Sequence, residues 1–376
     1  MNVLFTCGGT AGHINPAIAA ARLLKERHPE ANILFAGARR GMENELVPRE
    51  GYPLETVDAM RFQRSFSWFA IRYNIKTLYC LPKSRRQAKK IIRKFRPDLV
   101  VGTGGYASYP VVREAARQGI PTVIHESNAV PGLTTKMLAK IADRIMVGFE
   151  DSRANYPHPE RVIVTGTPVR GDFFTRTRAE ARRELGLEED KPLVLSYFGS
   201  LGAREMNRQM AEFIRLESRE DAFYHIHGAG NAGYQWMPEL ICSMGVDLKQ
   251  HPNIQLKEYI YNMSVVMAAA DFVICRAGAS TISEVTALAK PCILIPSPNV
   301  AGNHQEKNAR VLEQHGAAVL LPEAECSGQT LFETTQRLLS RPEELEAMRR
   351  ASGAVSVPDA AERMYEVMME LMHPSA

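Results

Sequence analysis

The sequence predicts an α/β protein of two doubly wound parallel sheets, and three features carry that expectation. Short apolar runs alternate with helix-forming stretches along the whole chain, the rhythm of strand, crossover helix and strand. The series starts afresh after Gly166-Thr167-Pro168-Val169-Arg170. Glycine-rich turns follow several strand candidates, at the edge where open parallel sheets hold their ligands. With 376 residues, 45% of them hydrophobic, the chain has room for two or three domains at about 150 residues each. A core of that size needs neither disulfides nor metals.

The first series of strand candidates covers 2–6, 32–36, 98–102, 122–125, 144–147 and 161–164. The second covers 193–198, 223–227, 254–256, 272–275, 291–295 and 318–321. Each is short and largely apolar, as strands buried on both faces are. The expected domains are 1–165 and 166–356. A last helix over 358–372 opens on Pro358-Asp359, a first-turn signal, and the stretch 357–376 that holds it can pack back on the first domain.

Six cysteines (Cys7, Cys80, Cys242, Cys275, Cys292, Cys326) make no C-x-x-C pair and have no His at ligand spacing. This speaks against a zinc module or a secreted disulfide framework and for a reducing cytoplasm. Met1-Asn2-Val3-Leu4-Phe5-Thr6 runs straight into glycines, and no stretch reaches 18 uncharged apolar residues, so neither signal peptide nor spanning helix is expected. The net charge of +4 conceals an asymmetry: residues 1–170 hold 26 Lys+Arg against 14 Asp+Glu, the remainder 20 against 28. Between Ala59 and Pro97 stand twelve basic residues and no acidic one, interleaved with Phe62, Phe66, Trp68, Phe69, Tyr73, Tyr79 and Phe95. Such a stretch suits an anionic partner, nucleic acid or a phospholipid surface. The plainer reading, for 83–94 above all, is a solvated helix face that aids solubility.

At the end of the first strand stands Gly8-Gly9-Thr10-Ala11-Gly12-His13, followed by a helix-forming run. Glycines let a backbone approach an anion, and the first turn of a helix offers unpaired N–H groups, so this is either a phosphate loop or a plain tight turn. Its spacing departs from G-x-G-x-x-G, and no strand-end acid follows near Ala36, which disfavours a dinucleotide oxidoreductase. His13, at a helix N-terminus, is a candidate general base or, equally, a capping histidine. Gly102-Thr103-Gly104-Gly105-Tyr106-Ala107-Ser108 and Phe198-Gly199-Ser200-Leu201-Gly202-Ala203 repeat the strand–glycine–helix pattern, so two facing domains would share a cleft for two anionic ligands. Cys275-Arg276-Ala277-Gly278-Ala279-Ser280-Thr281-Ile282-Ser283-Glu284 opens another helix, whose amides suit a diphosphate. Glu284 could take the two hydroxyls of a ribose, or be an ordinary exposed helix glutamate. Asn303-His304-Gln305-Glu306-Lys307-Asn308 offers amides suited to sugar hydroxyls.

With these stretches on one chain, the sequence resembles the MurG glycosyltransferases over almost its whole length. The matching segments are GGTAGHINPA from Gly8, GGYASYP from Gly104, HESNAVPG from His125, GTPVR from Gly166, FGSLGA from Phe198, RAGASTISE from Arg276 and HQEKNA from His304. The resemblance implies a two-domain glycosyltransferase-B fold whose second domain binds UDP-N-acetylglucosamine. It implies a first domain that meets undecaprenyl-linked lipid I at the cytoplasmic face of the membrane. It puts donor contacts on Thr10, Ala11, Gly12, Asn128, Arg170, Ser200, Ile260, Ala279, Ser280, Thr281, Ile282, Ser283, Glu284 and Gln305. Gly8, Gly9, Gly104, Gly105, Tyr106 and Ser108 fall in the acceptor and pyrophosphate loops, and Trp68, Phe69, Arg72 and Lys76 on a surface for anionic phospholipid. The chain departs from the family at Ala11 and Phe198 (Gly in the family) and at Ser127 and Leu201 (Gln in the family).

The implied reaction is one inverting displacement: the 4-hydroxyl of N-acetylmuramic acid attacks the anomeric carbon, UDP leaves, and lipid I becomes lipid II. His13 is the expected base. No D-x-D motif stands ready for a divalent metal, so helix N-termini and Arg170 are expected to meet the charge on the diphosphate, with no cofactor. Rival expectations are another nucleotide-sugar enzyme, such as a glycolipid glycosyltransferase or UDP-N-acetylglucosamine 2-epimerase, and a non-catalytic nucleotide-sugar sensor. Nucleic-acid binding has only charge in its favour.

Overall fold

The computed structural model describes residues 1–60, 67–199 and 203–373, with the side chains of Phe69, Ala70, Lys76, Leu78 and Ala301 outside the description. It divides into two compact units, Met1–Val169 with Val357–Ala376, and Arg170–Ser356.

The first unit has seven strands: β1 (Asn2–Thr6), β2 (Asn32–Ala38), β3 (Leu54–Val57), β4 (Leu99–Gly102), β5 (Thr122–Glu126), β6 (Arg144–Val147) and β7 (Val162–Val164). They form one parallel sheet in the order β3-β2-β1-β4-β5-β6-β7. Period-two alternation along β1 sends Val3 and Phe5 to one face and Leu4 to the other. The Val3 and Phe5 face is covered by α1 (Ala11–Arg27) and α2 (Glu43–Arg49). On the Leu4 face lie α3 (Trp68–Phe95), α4 (Ser108–Arg117) and α5 (Leu133–Leu138). β3 escapes a reading by apolar runs because it is an edge strand, Leu-Glu-Thr-Val, whose first three residues are only half-buried.

The second unit has β8 (Leu193–Tyr197), β9 (Tyr224–Gly228), β10 (Ile254–Lys257), β11 (Phe272–Cys275), β12 (Cys292–Leu294) and β13 (Ala318–Leu320), parallel in the order β10-β9-β8-β11-β12-β13. Its helices are α6 (Arg178–Leu185), α7 (Arg204–Glu217), α8 (Asn231–Tyr234), α9 (Met237–Ser243), α10 (Met263–Ala269), α11 (Ala279–Ala287), α12 (His304–Gln314), α13 (Gly328–Leu339) and α14 (Pro342–Ala354). The chain then returns to the first unit as α15 (Ala360–Met372), which buries Met364, Val367 and Met368 in the core under α1.

The first unit runs on to Val169 instead of ending at 165. The N–H groups of Thr165 and Gly166 both bond the Val147 carbonyl, and the Gly166 carbonyl accepts from His125 Nε2 at 2.8 Å, which ties this segment to β5 and β6. In each sheet the strand order reverses beside the first strand, between β1 and β4 and between β8 and β11. The loops after those strands therefore emerge side by side, where such sheets bind ligands.

Candidate active site

In the first unit the loop after β1 and the loop after β4 interlock. Thr103 N–H and Ser108 Oγ both donate to the Thr6 carbonyl, at 3.0 and 2.9 Å, and Thr103 Oγ1 donates to the His13 carbonyl at 2.6 Å. The approach is so close that a Cβ on Gly105 would lie 2.0 Å from the Gly8 oxygen, and one on Gly104 would lie 2.6 Å from the His13 ring. Both positions also have φ near +100°, at +81° and +109°, a region L side chains avoid. Glycine is required there on both counts.

His13 sits half-buried in the first turn of α1. Its Nδ1 lies 3.1 Å from the Gly8 carbonyl oxygen and 3.3 Å from Thr10 Oγ1. A carbonyl can only accept, so Nδ1 carries a proton, and the neutral ring presents its lone pair at Nε2. That is the tautomer a general base needs on its working side. Thr10 has extended N-cap geometry without a side-chain cap, and Ala11 begins the helix with an ordinary negative φ, so its methyl costs the loop nothing. Ala11 and Gly12 contribute first-turn amides, which have no intrahelical partner.

These contacts also engage two further loop residues within the protein. The Gly9 N–H is taken up within the protein, donating to Glu43 Oε2 at 3.0 Å. Ser108 is fully buried and its hydroxyl is taken up by the carbonyls of Thr6 and Gly104, so it holds the two loops together. Tyr106 reaches the Arg40 carbonyl at 3.3 Å.

Asn128 is oriented by Glu126, whose Oε1 accepts from its backbone N–H at 3.1 Å and from its Nδ2 at 2.8 Å. Glu126 Oε2 takes Gly132 N–H and Thr135 Oγ1 at 3.0 and 2.6 Å. Burial lowers the pKa of His125, keeping it neutral, and Ser127 is buried with its hydroxyl toward His125 Nδ1 at 3.4 Å. A serine at this place thus acts inward.

In the second unit Gly278 is the N-cap of α11, and the amides of Ala279, Ser280 and Thr281 form its open first turn. Ile282 and Ser283 do not belong with them. Ile282 is buried and its N–H bonds the Gly278 carbonyl, while Ser283 Oγ bonds the Ala279 carbonyl at 3.0 Å. Glu284 is half-buried, not an exposed helix residue, and burial pushes its carboxyl up to about 7 against the opposing charge of Arg170, with Asp172 adding to the rise. Arg170 also pairs with Asp172 at 3.3 Å. Gln305 is anchored through Oε1, which accepts from Ser297 N–H at 2.8 Å, and Ile260 is buried against Gly228 at the end of β9. Phe198 is buried in the core of the unit with the Arg276 guanidinium over its ring at 5.8 Å. Ser200, Leu201 and Gly202 lie outside the described residues.

On α3, Trp68, Ile71, Ile75 and Tyr79 fall on one face at spacings of three and four, all exposed, with Trp68 73% and Tyr79 79% accessible and Arg72 among them. The sequence reading missed a second stripe: Leu133, Met137 and Ile141 are exposed on and after α5, beside exposed Lys136 and Lys140. Along the second half of α3 several cations are paired, Lys83 with Asp58, Arg85 with Glu114 and Lys94 with Glu55. Among the described residues no helix is long and apolar enough to cross a membrane, and no group of three or more His, Cys, Asp or Glu could hold a metal ion.

Comparison with known proteins gives the family and the fold. Residues 3–147 match the glycosyltransferase family 28 N-terminal domain and residues 194–364 the glycosyltransferase family 28 C-terminal domain. The chain is 40% identical over 376 residues, the whole of both proteins, to the UDP-N-acetylglucosamine–N-acetylmuramyl-(pentapeptide) pyrophosphoryl-undecaprenol N-acetylglucosamine transferase of Acetivibrio thermocellus. The crystal structure of MurG from Acinetobacter baumannii superposes with a TM-score of 0.78 at 25% identity, covering 98% of this chain and 99% of that one. The UDP-GlcNAc 2-epimerase of Neisseria meningitidis shares the fold alone, with a TM-score of 0.66 at 16% identity and coverage of 98% and 100%. On its sequence over its full length and on its two parallel-sheet units, the chain belongs to glycosyltransferase family 28 and, within it, to the MurG family with the glycosyltransferase-B fold.

Proposed function

We propose that this chain transfers N-acetylglucosamine from UDP-N-acetylglucosamine to the 4-hydroxyl of the N-acetylmuramic acid of lipid I, with the acceptor handled by the first unit and the nucleotide by the second. The hydroxyl oxygen bonds to the anomeric carbon as the bond from that carbon to the diphosphate oxygen breaks. Configuration inverts, the hydroxyl proton passes to His13 Nε2, and UDP carries away the electron pair. The observation that carries this mechanism is the Nδ1–H bond from His13 to the Gly8 carbonyl, which leaves Nε2 able to accept a proton. Charge growing on the diphosphate is met by the Ala279–Thr281 amides and by Arg170, and the reaction needs no divalent metal. Glu284, ionised, accepts from the ribose hydroxyls.

The exposed apolar stripes of α3 and α5, rimmed by Arg72, Lys136 and Lys140, suit reversible docking on anionic phospholipid at the cytoplasmic membrane face, beside the lipid-linked acceptor. The deciding experiment incubates the protein with UDP-N-acetylglucosamine alone and then with a lipid I analogue. Release of UDP only when the acceptor is present supports the reading. Conversion of the sugar without acceptor indicates an epimerase, and binding without turnover in either arm indicates a sensor.

A further inference from the structure

Glu43, in the first turn of α2, is fully buried, yet among the described residues it forms no ion pair. Its Oε2 accepts from Gly9 N–H at 3.0 Å and its Oε1 from Ala38 N–H at 2.8 Å. Each oxygen faces a donor, which leaves no acceptor for an acid proton. The backbone is shaped around this side chain: a Cβ on Gly8, Gly37 or Gly41 would fall 2.7, 2.5 or 2.2 Å from it. A buried carboxylate is costly to keep, and a loop could be held by a neutral side chain at lower cost.

Gly9 N–H and the Gly8 carbonyl are the two ends of one peptide group. The carboxylate of Glu43 holds the first end, and Nδ1–H of His13 donates to the second at 3.1 Å. Carboxylate, peptide and imidazole therefore form one chain of hydrogen bonds, in which the charge on Glu43 draws the peptide dipole toward a more negative carbonyl oxygen. That oxygen stabilises the positive charge the imidazole gains when Nε2 takes a proton. Gly105, packed against the Gly8 oxygen, keeps this link closely covered, where electrostatic effects are strong. The charge is felt on the other side of the loop as well: burial first, and Glu43 second, push the Cys7 thiol far above its ordinary range.

We propose that Glu43 is a positioning residue for the transfer reaction, acting through the Gly8–Gly9 peptide to keep the His13 proton on Nδ1 and to make Nε2 a stronger base. The proposal rests on the reading of His13 as the base. The other titratable groups about His13 are His125 on β5, neutral through burial, the neutral Cys7 thiol behind the loop, and Tyr106 on the facing turn.

The test uses the full chain, with ¹⁵N spectra of His13 identified by their loss in His13→Ala, and with pH profiles of kcat on a soluble lipid I analogue. The unsubstituted protein should show the Nδ1–H tautomer; an Nε2–H tautomer would overturn the proposal without any variant of Glu43. Glu43→Gln should lower kcat about 10- to 100-fold, as loss of a group that orients a functional histidine does, with donor KM unchanged. The acid limb of its profile should move to lower pH, because an imidazolium that loses the support of the carboxylate gives up its proton more readily. Adding Glu43→Gln to His13→Ala should cost nothing further. A lower kcat with an unmoved limb, or additive losses in the double variant, would make Glu43 a mere loop support. If His13→Ala itself leaves kcat intact, the base reading fails first, and that outcome is distinct from a slow His13→Ala beside an unaltered Glu43→Gln.

Discussion

Arg27 and Glu362 lie 335 residues apart in sequence and meet through two parallel hydrogen bonds of 2.6 and 2.5 Å. The same guanidinium stacks over the Tyr365 ring at 4.6 Å, and His28 Nε2 lies 2.9 Å from the Tyr365 hydroxyl. These contacts dock α15 on α1, yet both charged side chains remain more than a third exposed. Water screens such a pair, so Glu362→Ala should cost about 0 to 1 kcal/mol. Met368, fully buried in the same interface, should cost about 2 to 5 kcal/mol when cut to Ala. Urea unfolding of the two variants checks the order, and the reverse ranking would mean that charge, not apolar burial, holds the helix.

Glu284 should control donor binding. Glu284→Ala removes charge-assisted hydrogen bonds worth about 1.5 to 3 kcal/mol each, so the donor KM should rise roughly 10- to 100-fold or more. Because burial lifts its carboxyl to about 7, the donor KM of the unsubstituted protein should rise as pH falls through that value, and Glu284→Gln should flatten the dependence. Stability responds in the opposite sense. The folded protein holds this proton more tightly than the unfolded chain, whose carboxyl titrates near 4.5, so stability contributed here is present below that pH and is lost as pH rises toward 7. Unchanged donor kinetics in a folded Glu284→Ala protein would remove the assignment.

Membrane docking should need both charge and apolar surface. Each cation near an anionic surface contributes about 1 kcal/mol, screened beyond roughly 8 to 10 Å at physiological salt. Cosedimentation with anionic vesicles should therefore weaken as salt rises, and Trp68→Ser or Met137→Ser should weaken it further while turnover of a soluble acceptor persists. Equal binding to neutral and anionic vesicles would count against a role for the cations.

Much of the fold was readable in the sequence because buried parallel strands are written as continuous apolar runs, and β1, β6 and β11 fall where those runs lie. β3 was not, since an edge strand with Glu55 and Thr56 at its centre carries no such run. The glycine turns could be seen, but their division of labour could not. Gly104 and Gly105 are explained only once the His13 ring and the Gly8 oxygen are found against them. Glu43 and Glu126 were missed for a related reason: each reads as an ordinary polar residue, and its importance arises from backbone amides that the folded chain turns toward it, those of Gly9 and Ala38 for Glu43 and those of Asn128 and Gly132 for Glu126. The Met137 stripe was passed over because α5 is only six residues long and its exposed apolar side chains stand out only once the helix is folded.

The measurement closest to the centre of this account is the turnover of His13→Ala on a lipid I analogue at saturating UDP-N-acetylglucosamine. With the imidazole as base, kcat should fall about 10² to 10⁴-fold while the donor KM stays within a few-fold of its original value. A kcat left intact, with the loss confined to donor KM, would instead make His13 a ligand of the sugar or its diphosphate and contradict the mechanism.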